Sequence, residues 1–544
     1  MPYTSCDADA PELAKLARPG LDPSGSVFDR ARLGMLRWYA GTGVTPSMGN
    51  MVTPYIFGRC AFRDMADAIA TARAPEHRIY LLGWWVEPWT RLDSTMPPLL
   101  LQDLLKVVKG QVRGMFWKDP QPKPTADNTP IVGFLNGLPN GAAILDQKLP
   151  FLRLAGSQTG IRGGVHHQKL LVVSGASGLV GFTGGMDLNN SRVNNSKGGF
   201  DPLHDVHFRV TGQACIDLLR VFRQRWLDHP DSAALDLARF GLSAQDVTND
   251  FDVIARRGGT AAELPTSTDT RTKRGTRTHA VAVGRTYANL RKFNTTESYS
   301  FAPSGEETAW ALVSKAVQTA QRFIYLEEQY FVSRRLKAAL VRKLQEPQFQ
   351  ALIVLMQHSS AFEKSATLAD NEFPYLIAAR NEIRADFAAV DPKQLKWSLF
   401  TLRATSDPDR QEWAGSYVHS KTLIADDECA IIGTVNVNDR GYTYDTEIAA
   451  SITDDVFGRV SGQSFARDLR IALWHKHLGV AHAKLLDFNT ARQLWKRAPP
   501  TAMISDANAL EDSILLGPKA ILRDHVQAEQ LWREDIDPDA DRLP

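Results

Sequence analysis

The fold of this chain is decided by two similar stretches, Val165-His166-His167-Gln168-Lys169-Leu170-Leu171-Val172-Val173 and Tyr417-Val418-His419-Ser420-Lys421-Thr422-Leu423-Ile424-Ala425. Each stretch places a histidine and a lysine two residues apart within an apolar run. Side chains of a β-strand alternate between its faces, so the histidine and the lysine should share a face. Polar groups in an apolar run cost free energy unless they have partners. Their recurrence at matching places indicates a duplicated site.

Other segments repeat in the same order. Ile79-Tyr80-Leu81 matches Ile324-Tyr325-Leu326, Asp205-Val206-His207 aligns with Glu447-Ile448-Ala449, and the helical segment 222–226 matches 471–474. The repeat predicts two α/β halves in which strands alternate with helices. We predict an N-terminal extension at 1–30, a first domain at 31–250, a linker at 251–280, a second domain at 281–480 and a C-terminal tail at 481–544.

The composition excludes several classes of protein. The 544 residues are 43% hydrophobic and 23% charged, which is enough apolar material for a large core. The 63 Lys and Arg residues nearly balance the 61 Asp and Glu residues, which argues against a nucleic-acid-binding protein. The sequence shows neither a signal peptide nor an apolar run of the roughly 20 residues that cross a bilayer. The four cysteines lack a metal-binding spacing. We expect a soluble, cytoplasmic protein.

The second stretch resembles a known signature. His419-Ser-Lys421-Thr-Leu-Ile-Ala-Asp426, followed by Gly433-Thr434-Val435-Asn436, is similar to the HxKxxxxD and G-S/T-x-N motifs of the phospholipase D superfamily. The first half resembles the other copy of that family through His167-Gln-Lys169 and Gly184-Gly185-Met186-Asp187. Further similar segments are HDV at 204–206, IYLEEQYF at 324–331, where relatives often read IENQYF, and LRIALWHKHLG at 469–479. The resemblance covers about residues 80–480.

This resemblance implies a fold and a reaction. The fold class is α/β, with two duplicated α/β/α sandwich domains whose mixed sheets are flanked by helices and related by a pseudo-twofold axis. Both motifs then meet in one cleft. His167 is implied as the nucleophile, which forms a phosphohistidine, and His419 as the general acid and then base. The amide of Asn436 and the two lysines, Lys169 and Lys421, would stabilise the phosphate oxygens.

Further residues complete the predicted site. Asp205 and Glu447 are candidates for orienting the two histidines, and the sequence leaves open which carboxylate serves which ring. Asp187 replaces the amide of the second motif and is expected near Lys169 or a backbone group. We expect Trp84, Glu327 and Gln329 to help bind substrate, and we leave His166 and His204 out of the catalytic set. The reaction requires no metal and no cofactor.

One departure from the family pattern concerns the first motif. Ser174 stands where the family has an aspartate, and the following hairpin is longer than in the second half. Strand alternation places the Ser174 position on the opposite face from His167 and Lys169. We therefore expect a structural adjustment, although loss of activity in this half is the alternative.

The leading functional prediction is a phospholipase D. It would hydrolyse glycerophospholipids at a membrane surface to phosphatidic acid and a free head group, with transfer to an alcohol as a variant. The alternatives are a nuclease of the same superfamily and an inactive lipid- or phosphate-binding module, the latter because of Ser174. Segments 83–85 and 138–141 resemble phospholipase effectors that bacteria inject, which implies export by a dedicated secretion system and an immunity protein as partner. We expect a monomer that does not bind nucleic acid.

Overall fold

Alternating strands and helices form two matching halves in the computed structural model, which describes residues 34–93, 97–119, 126–148, 164–193, 203–258, 278–293, 298–359, 372–403, 417–455 and 464–510. The strands are β1 Ser47–Tyr55, β2 Arg78–Gly83, β3 Gln111–Trp117, β4 Gly141–Asp146, β5 Leu170–Gly175, β6 Gly178–Gly184, β7 His207–Thr211, β8 His279–Tyr287, β9 Glu306–Glu307, β10 Phe323–Glu328, β11 Ala351–Met356, β12 Trp397–Leu402, β13 Thr422–Ala425, β14 Cys429–Gly433, β15 Glu447–Asp454 and β16 Ile504–Asp506.

Helices connect these strands. They are α1 Gly58–Ala70, α2 Leu101–Val107, α3 Thr129–Gly137, α4 Gln213–Asp228, α5 Ser232–Phe240, α6 Ala244–Gly258, α7 Thr308–Thr319, α8 Arg334–Gln345, α9 Glu372–Val390, α10 Asp439–Thr443, α11 Phe465–Leu478 and α12 Phe488–Lys496.

The strands form one continuous sheet with the order β16-β12-β11-β10-β13-β14-β15-β8-β1-β7-β6-β5-β2-β3-β4, and β9 pairs with β8. The order from β12 to β8 repeats that from β4 to β1, strand for strand. Strands β2, β3 and β4 are parallel in the first half, as are β10, β11 and β12 in the second, and the other pairs are antiparallel. The antiparallel pairing of β1 with β8 joins the halves. This arrangement is the pseudo-twofold duplication that the repeated stretches predict.

Helices cover both faces of the sheet, which explains why its strands are continuous apolar runs. Every residue of β2, β10, β11 and β15 is buried. One core runs across both halves and includes Trp226 on α4 and Trp474 on α11, while separate cores lie under α1–α3 and under α7–α9. The predicted α/β/α architecture is confirmed.

The halves exchange segments at their margins, so the observed boundaries differ from the expected ones. Trp38 and Tyr39, which precede β1, pack into the core of the second half. Helix α6 continues past residue 250 and places Phe251 in the core of the first half. Beyond residue 480, α12 contributes Trp495 to the core and β16 pairs with β12. The sequence lacks a signal for these contacts because each depends on packing between distant parts of the chain. The predicted N-terminal extension lies outside the described residues.

The motif aspartate of the second half acts on the backbone. Asp426 ends the hairpin strand β13 with a positive φ of 56° and accepts hydrogen bonds from the N–H groups of Gln321, Arg322 and Phe323 at 2.7–2.8 Å. These groups begin β10, at the opposite end from the histidine. In the first half Ser174 pairs with Arg78, whose guanidinium binds Asp250 of α6 at 2.7 and 3.0 Å. Ser174 therefore replaces a structural side chain.

This difference gives a stability prediction. Asp426→Ala should lower the free energy of unfolding by about 3 kcal/mol, since three backbone N–H groups lose a charged acceptor that is itself buried. Ser174→Ala should change it by less than about 1 kcal/mol. Denaturant unfolding followed by tryptophan fluorescence measures both values. An Asp426→Ala variant as stable as the parent but inactive would instead place this carboxylate in the chemistry.

Candidate active site

The two histidine-lysine segments enter the sheet side by side from opposite halves. The strands begin at Leu170 and Thr422, just after each lysine, because the preceding residues pair with the other half. The N–H of His167 donates to the carbonyl of Thr446, and the N–H of His419 donates to the carbonyl of His204, at 3.0 and 2.8 Å. These backbone bonds bring both motifs to one place.

His167 is held by groups of the second half. Its Nδ1 lies 2.9 Å from Oε1 of Glu447 and 2.9 Å from the carbonyl oxygen of Thr434. Glu447 is fully buried at the start of β15, and its other carboxylate oxygen accepts a hydrogen bond from the Thr434 hydroxyl. With the proton on Nδ1, the Nε2 atom of His167 keeps its lone pair.

His419 has the reciprocal arrangement. Its Nδ1 lies 2.8 Å from Oδ2 of Asp205, a first-half residue that is 1% exposed just before β7. Each predicted histidine is thus oriented by a carboxylate from the other half. The sequence left this pairing open, and it exists only once the halves are joined.

The two lysines lie beside the histidines and are almost fully buried. Lys169 Nζ donates to the carbonyl of His167 at 2.9 Å and lies 3.2 Å from Oδ2 of Asp187. Lys421 Nζ donates to the carbonyl of His419 at 2.6 Å and to Oε1 of Gln329 at 3.1 Å. Asp187 therefore lies where we expected it, near Lys169.

Burial sets the charges of this site. It lowers the pKa values of both histidines well below their usual range, and the nearby lysines add to the effect. Burial also raises the pKa of Asp205 to about 6 and lowers that of Lys421 to about 8. At neutral pH His167 and His419 are therefore neutral rings between cationic lysines. Such a site favours an anionic ligand.

Asn436 and Trp84 border the lysines. Asn436 is 9% exposed, and its Oδ1 has no hydrogen-bond partner among the described residues. The ring of Trp84 is half-buried, with its centroid 6.1 Å from the His167 ring and 5.8 Å from Lys169 Nζ. Trp84 stacks on Trp117 and makes an edge contact with Trp85. Half-buried aromatic rings therefore border the His167 and Lys169 side chains.

Glu327 does not lie where we expected a substrate contact. Its carboxylate is fully buried, with Oε2 2.8 Å from His204 Nε2 and Oε1 2.8 Å from His477 Nε2. The Tyr325 hydroxyl donates to it as well, at 2.7 Å. These partners leave Glu327 no direction open to substrate, because β10 turns its side chain into the core.

The same cluster has the composition of a metal site, with two histidines and a glutamate close together. Lys476 Nζ, however, lies 2.8 Å from Nδ1 of His204, so that nitrogen accepts and Nε2 donates to Glu327. All three side chains are thereby satisfied in a hydrogen-bonded network. The network fixes His204, the residue that precedes Asp205, across the two halves.

Two site residues escaped the sequence analysis. Arg192 is 3% exposed, lies 3.9 Å from Asp205 and 4.0 Å from Asp187, and makes no hydrogen bond through its side chain among the described residues. Glu328 is fully buried beside Lys421. The available signal for Glu328 was its place beside Glu327 in the segment IYLEEQYF.

Comparisons with known proteins show which sequences this chain is similar to. The family model described as phospholipase D matches residues 189–355 and 401–498. Phospholipase D gamma 1 of Arabidopsis thaliana is 24% identical over 562 residues, which cover 78% of this chain and 62% of the relative. Phospholipase D alpha 2 of Oryza sativa subsp. japonica is 24% identical, covering 80% of this chain and 65% of the relative. The chain thus spans about three-fifths of the length of these relatives.

A solved structure shows the same architecture. The crystal structure of phosphatidylserine synthase from Haemophilus influenzae Rd KW20 superposes with a TM-score of 0.51 at 12% identity, covering 93% of this chain and 96% of that one. At this identity the likeness concerns the fold. Two histidine-lysine motifs thus meet in a duplicated α/β/α scaffold, and in sequence the chain is similar to members of the phospholipase D superfamily.

Proposed function

We propose that this protein is a phospholipase D that hydrolyses the distal phosphodiester of glycerophospholipids to phosphatidic acid and a free head group. The observation that carries the proposal is the reciprocal pair His167–Glu447 and His419–Asp205, each formed across the two halves beside a buried lysine. Two oriented imidazoles and two ammonium groups supply what phosphodiester displacement needs: a nucleophile, a proton carrier and cations for the phosphate oxygens.

In the first step His167 Nε2 attacks phosphorus. A P–N bond forms and the bond from phosphorus to the head-group oxygen breaks, while His419 donates a proton to the departing alkoxide. Lys169, Lys421 and the Asn436 amide donate to the non-bridging oxygens as charge builds on them. The product of this step is a phosphatidyl-histidine.

In the second step His419 accepts a proton from water, whose oxygen attacks phosphorus. The P–N bond breaks, His167 regains its lone pair, and phosphatidic acid leaves. His419 must be protonated before the first step, although its pKa is low in the empty site. A bound phosphate anion offsets the lysine charges that depress this pKa, so substrate binding itself favours the acidic form.

The choice of a lipid over a nucleic acid rests on two features. The half-buried rings of Trp84 and Trp85 beside the site suit a membrane-water boundary, and the near balance of charges offers little to a polyanion. No helix among the described residues has the length and apolarity to cross a bilayer. Export as an effector with an immunity protein stays a prediction from the sequence resemblance.

The test incubates the purified chain with mixed-head-group phospholipid vesicles in excess chelator, with single- and double-stranded DNA in parallel. We expect phosphatidic acid from the lipids, unaffected by chelator, and no DNA cleavage. His167→Ala and His419→Ala serve as site controls and Asp103→Asn, on exposed α2, as a surface control. Cleavage of DNA alone would assign the enzyme to nucleic acid, and silence in both assays would overturn the catalytic proposal.

A further inference from the structure

The two halves place a carboxylate against their active-site lysines from different positions in the chain. Strand β2 pairs with β5, and the last pair of residues in that ladder is Leu82 with Leu170. Strand β10 pairs with β13, and the last pair in that ladder is Glu327 with Thr422. The next pairs in the same registers are Gly83 with Lys169 and Glu328 with Lys421. The position opposite the lysine is thus glycine in one half and glutamate in the other.

In the first half the carboxylate comes from Asp187. Its Oδ1 accepts hydrogen bonds from the N–H groups of Trp84 and Trp85 at 2.9 and 3.2 Å, and its Oδ2 lies 3.2 Å from Lys169. A Cβ atom at Gly83 would lie 2.3 Å from Val86 Cγ2 and 3.6 Å from Asp187 Oδ1. The close approach of Val86 therefore favours glycine at this position, and the carboxylate comes from Asp187 instead.

In the second half the residue matching Asp187 is Asn436, which is uncharged, and Glu328 supplies the carboxylate. The N–H of Tyr330 donates to Glu328 Oε1 at 3.2 Å, and the N–H groups of Gln329 and Val437 also act on this carboxylate. Residues 329 and 330 correspond to 84 and 85 under the pseudo-twofold. The same backbone donors thus hold a carboxylate in both halves.

Glu328 and Lys421 also line a common cavity of about 20 Å³, together with Tyr442 of α10. Oε2 of Glu328 has no hydrogen-bond partner among the described residues. Lys421 donates to Gln329 and to the His419 carbonyl, so neither of its hydrogen bonds is to a carboxylate. Glu328 is therefore the buried anion placed opposite it.

We propose that Glu328 is a positioning residue that holds Lys421 in its cationic form for the phosphate, doing for the second half what Asp187 does for the first. The inference rests on the proposed function.

The charged groups around the pair give the direction of the effect. Tyr442 and Tyr417 face Glu328, and Asp205, Lys169 and Arg192 act on Lys421. Burial lowers the pKa of Lys421 to about 8 and raises that of Glu328 to about 7, while the Glu328 charge raises the pKa of Lys421. Removing this charge should move the loss of the lysine proton to lower pH.

The experiment measures kcat/KM for bis(4-nitrophenyl) phosphate between pH 5.5 and 9.5, since this parameter reports the free enzyme. Glu328→Gln should match the parent at pH 5.5, where Glu328 is protonated. The alkaline limb of its pH profile should lie about one pH unit or more below that of the parent. Near pH 8.5 this shift makes kcat/KM of the variant roughly tenfold lower than that of the parent. Glu328→Asp, which keeps a carboxylate, should recover most of the limb, and Asp103→Asn should match the parent throughout.

A Glu328→Gln profile that superimposes on the parent, or that lies equally below it at every pH, would overturn this assignment. Calorimetric measurement of inorganic phosphate binding over the same pH range tests the role of Glu328 separately from the proposed lipid hydrolysis. An earlier alkaline loss of phosphate binding in Glu328→Gln supports the role of Glu328 even if no lipid is cleaved. If phosphate binding is unchanged in Glu328→Gln while the parent cleaves lipid, the role of Glu328 is overturned and the proposed function is not.

Discussion

His167→Ala should lower turnover by about 10⁴-fold or more and abolish any covalent intermediate, because no other group replaces the attacking nitrogen. His419→Ala should also stop turnover of natural lipids, whose alkoxide leaving groups need a proton. With a 4-nitrophenyl phosphodiester the leaving group needs no acid. His419→Ala should then release close to one equivalent of nitrophenol and stall as phosphohistidine, because the base that activates water is missing.

Rapid-quench measurement of nitrophenol release and phosphorus NMR of protein unfolded in alkaline denaturant, in which the P–N bond of phosphohistidine survives, distinguish these outcomes. The parent shows a burst followed by turnover, His419→Ala a burst alone, and His167→Ala neither. A burst in His167→Ala and none in His419→Ala would reverse the two roles. The present assignment follows the family resemblance, in which the N-terminal copy supplies the nucleophile.

The fold can be predicted from the sequence because each half of the duplication has a recognisable local sequence pattern. His167-Gln-Lys169 and His419-Ser-Lys421 each precede an apolar strand, and a strand buried on both faces must be apolar throughout. The repeat then predicts the architecture and the convergence of both motifs. Strand alternation likewise predicts that Ser174 faces away from the histidine. Asp426, at the matching position of the second half, lies away from His419 and accepts a hydrogen bond from the N–H of Arg322, just before β10.

The missing parts of the site depend on contacts between the halves. Asp205 and Glu447 are recognisable as a matched pair in the sequence, but each orients the histidine of the other half. Nothing local encodes that exchange, since it follows from the pairing of β1 with β8 and of the entry segments with residues 204 and 446. Glu327 illustrates the opposite error, because a polar residue in a motif proves to be part of the core.

Glu447→Gln and Asp205→Asn should each reduce kcat/KM by about 10² to 10⁴-fold while the protein stays folded. An amide can donate its N–H to Nδ1 of the ring, which moves the imidazole proton to Nε2. In Glu447→Gln this removes the lone pair with which His167 attacks, so the nitrophenol burst itself should slow. In Asp205→Asn the burst should persist, while steady-state turnover falls because His419 has lost its carboxylate partner.

Double-mutant cycles on kcat/KM for a lipid substrate test the exchange between halves. Glu447→Gln should add little to the loss already caused by His167→Ala, since both changes disable one group, and Asp205→Asn should add little to His419→Ala. The same-half pairs, Asp205→Asn with His167→Ala and Glu447→Gln with His419→Ala, should show weaker coupling. Stronger coupling within a half would mean that each carboxylate orients its own histidine, and the reciprocal geometry would then not describe the working enzyme. Cross-half coupling would make the assembled pair of domains the smallest catalytic unit, because neither His167 nor His419 has its carboxylate partner in its own half.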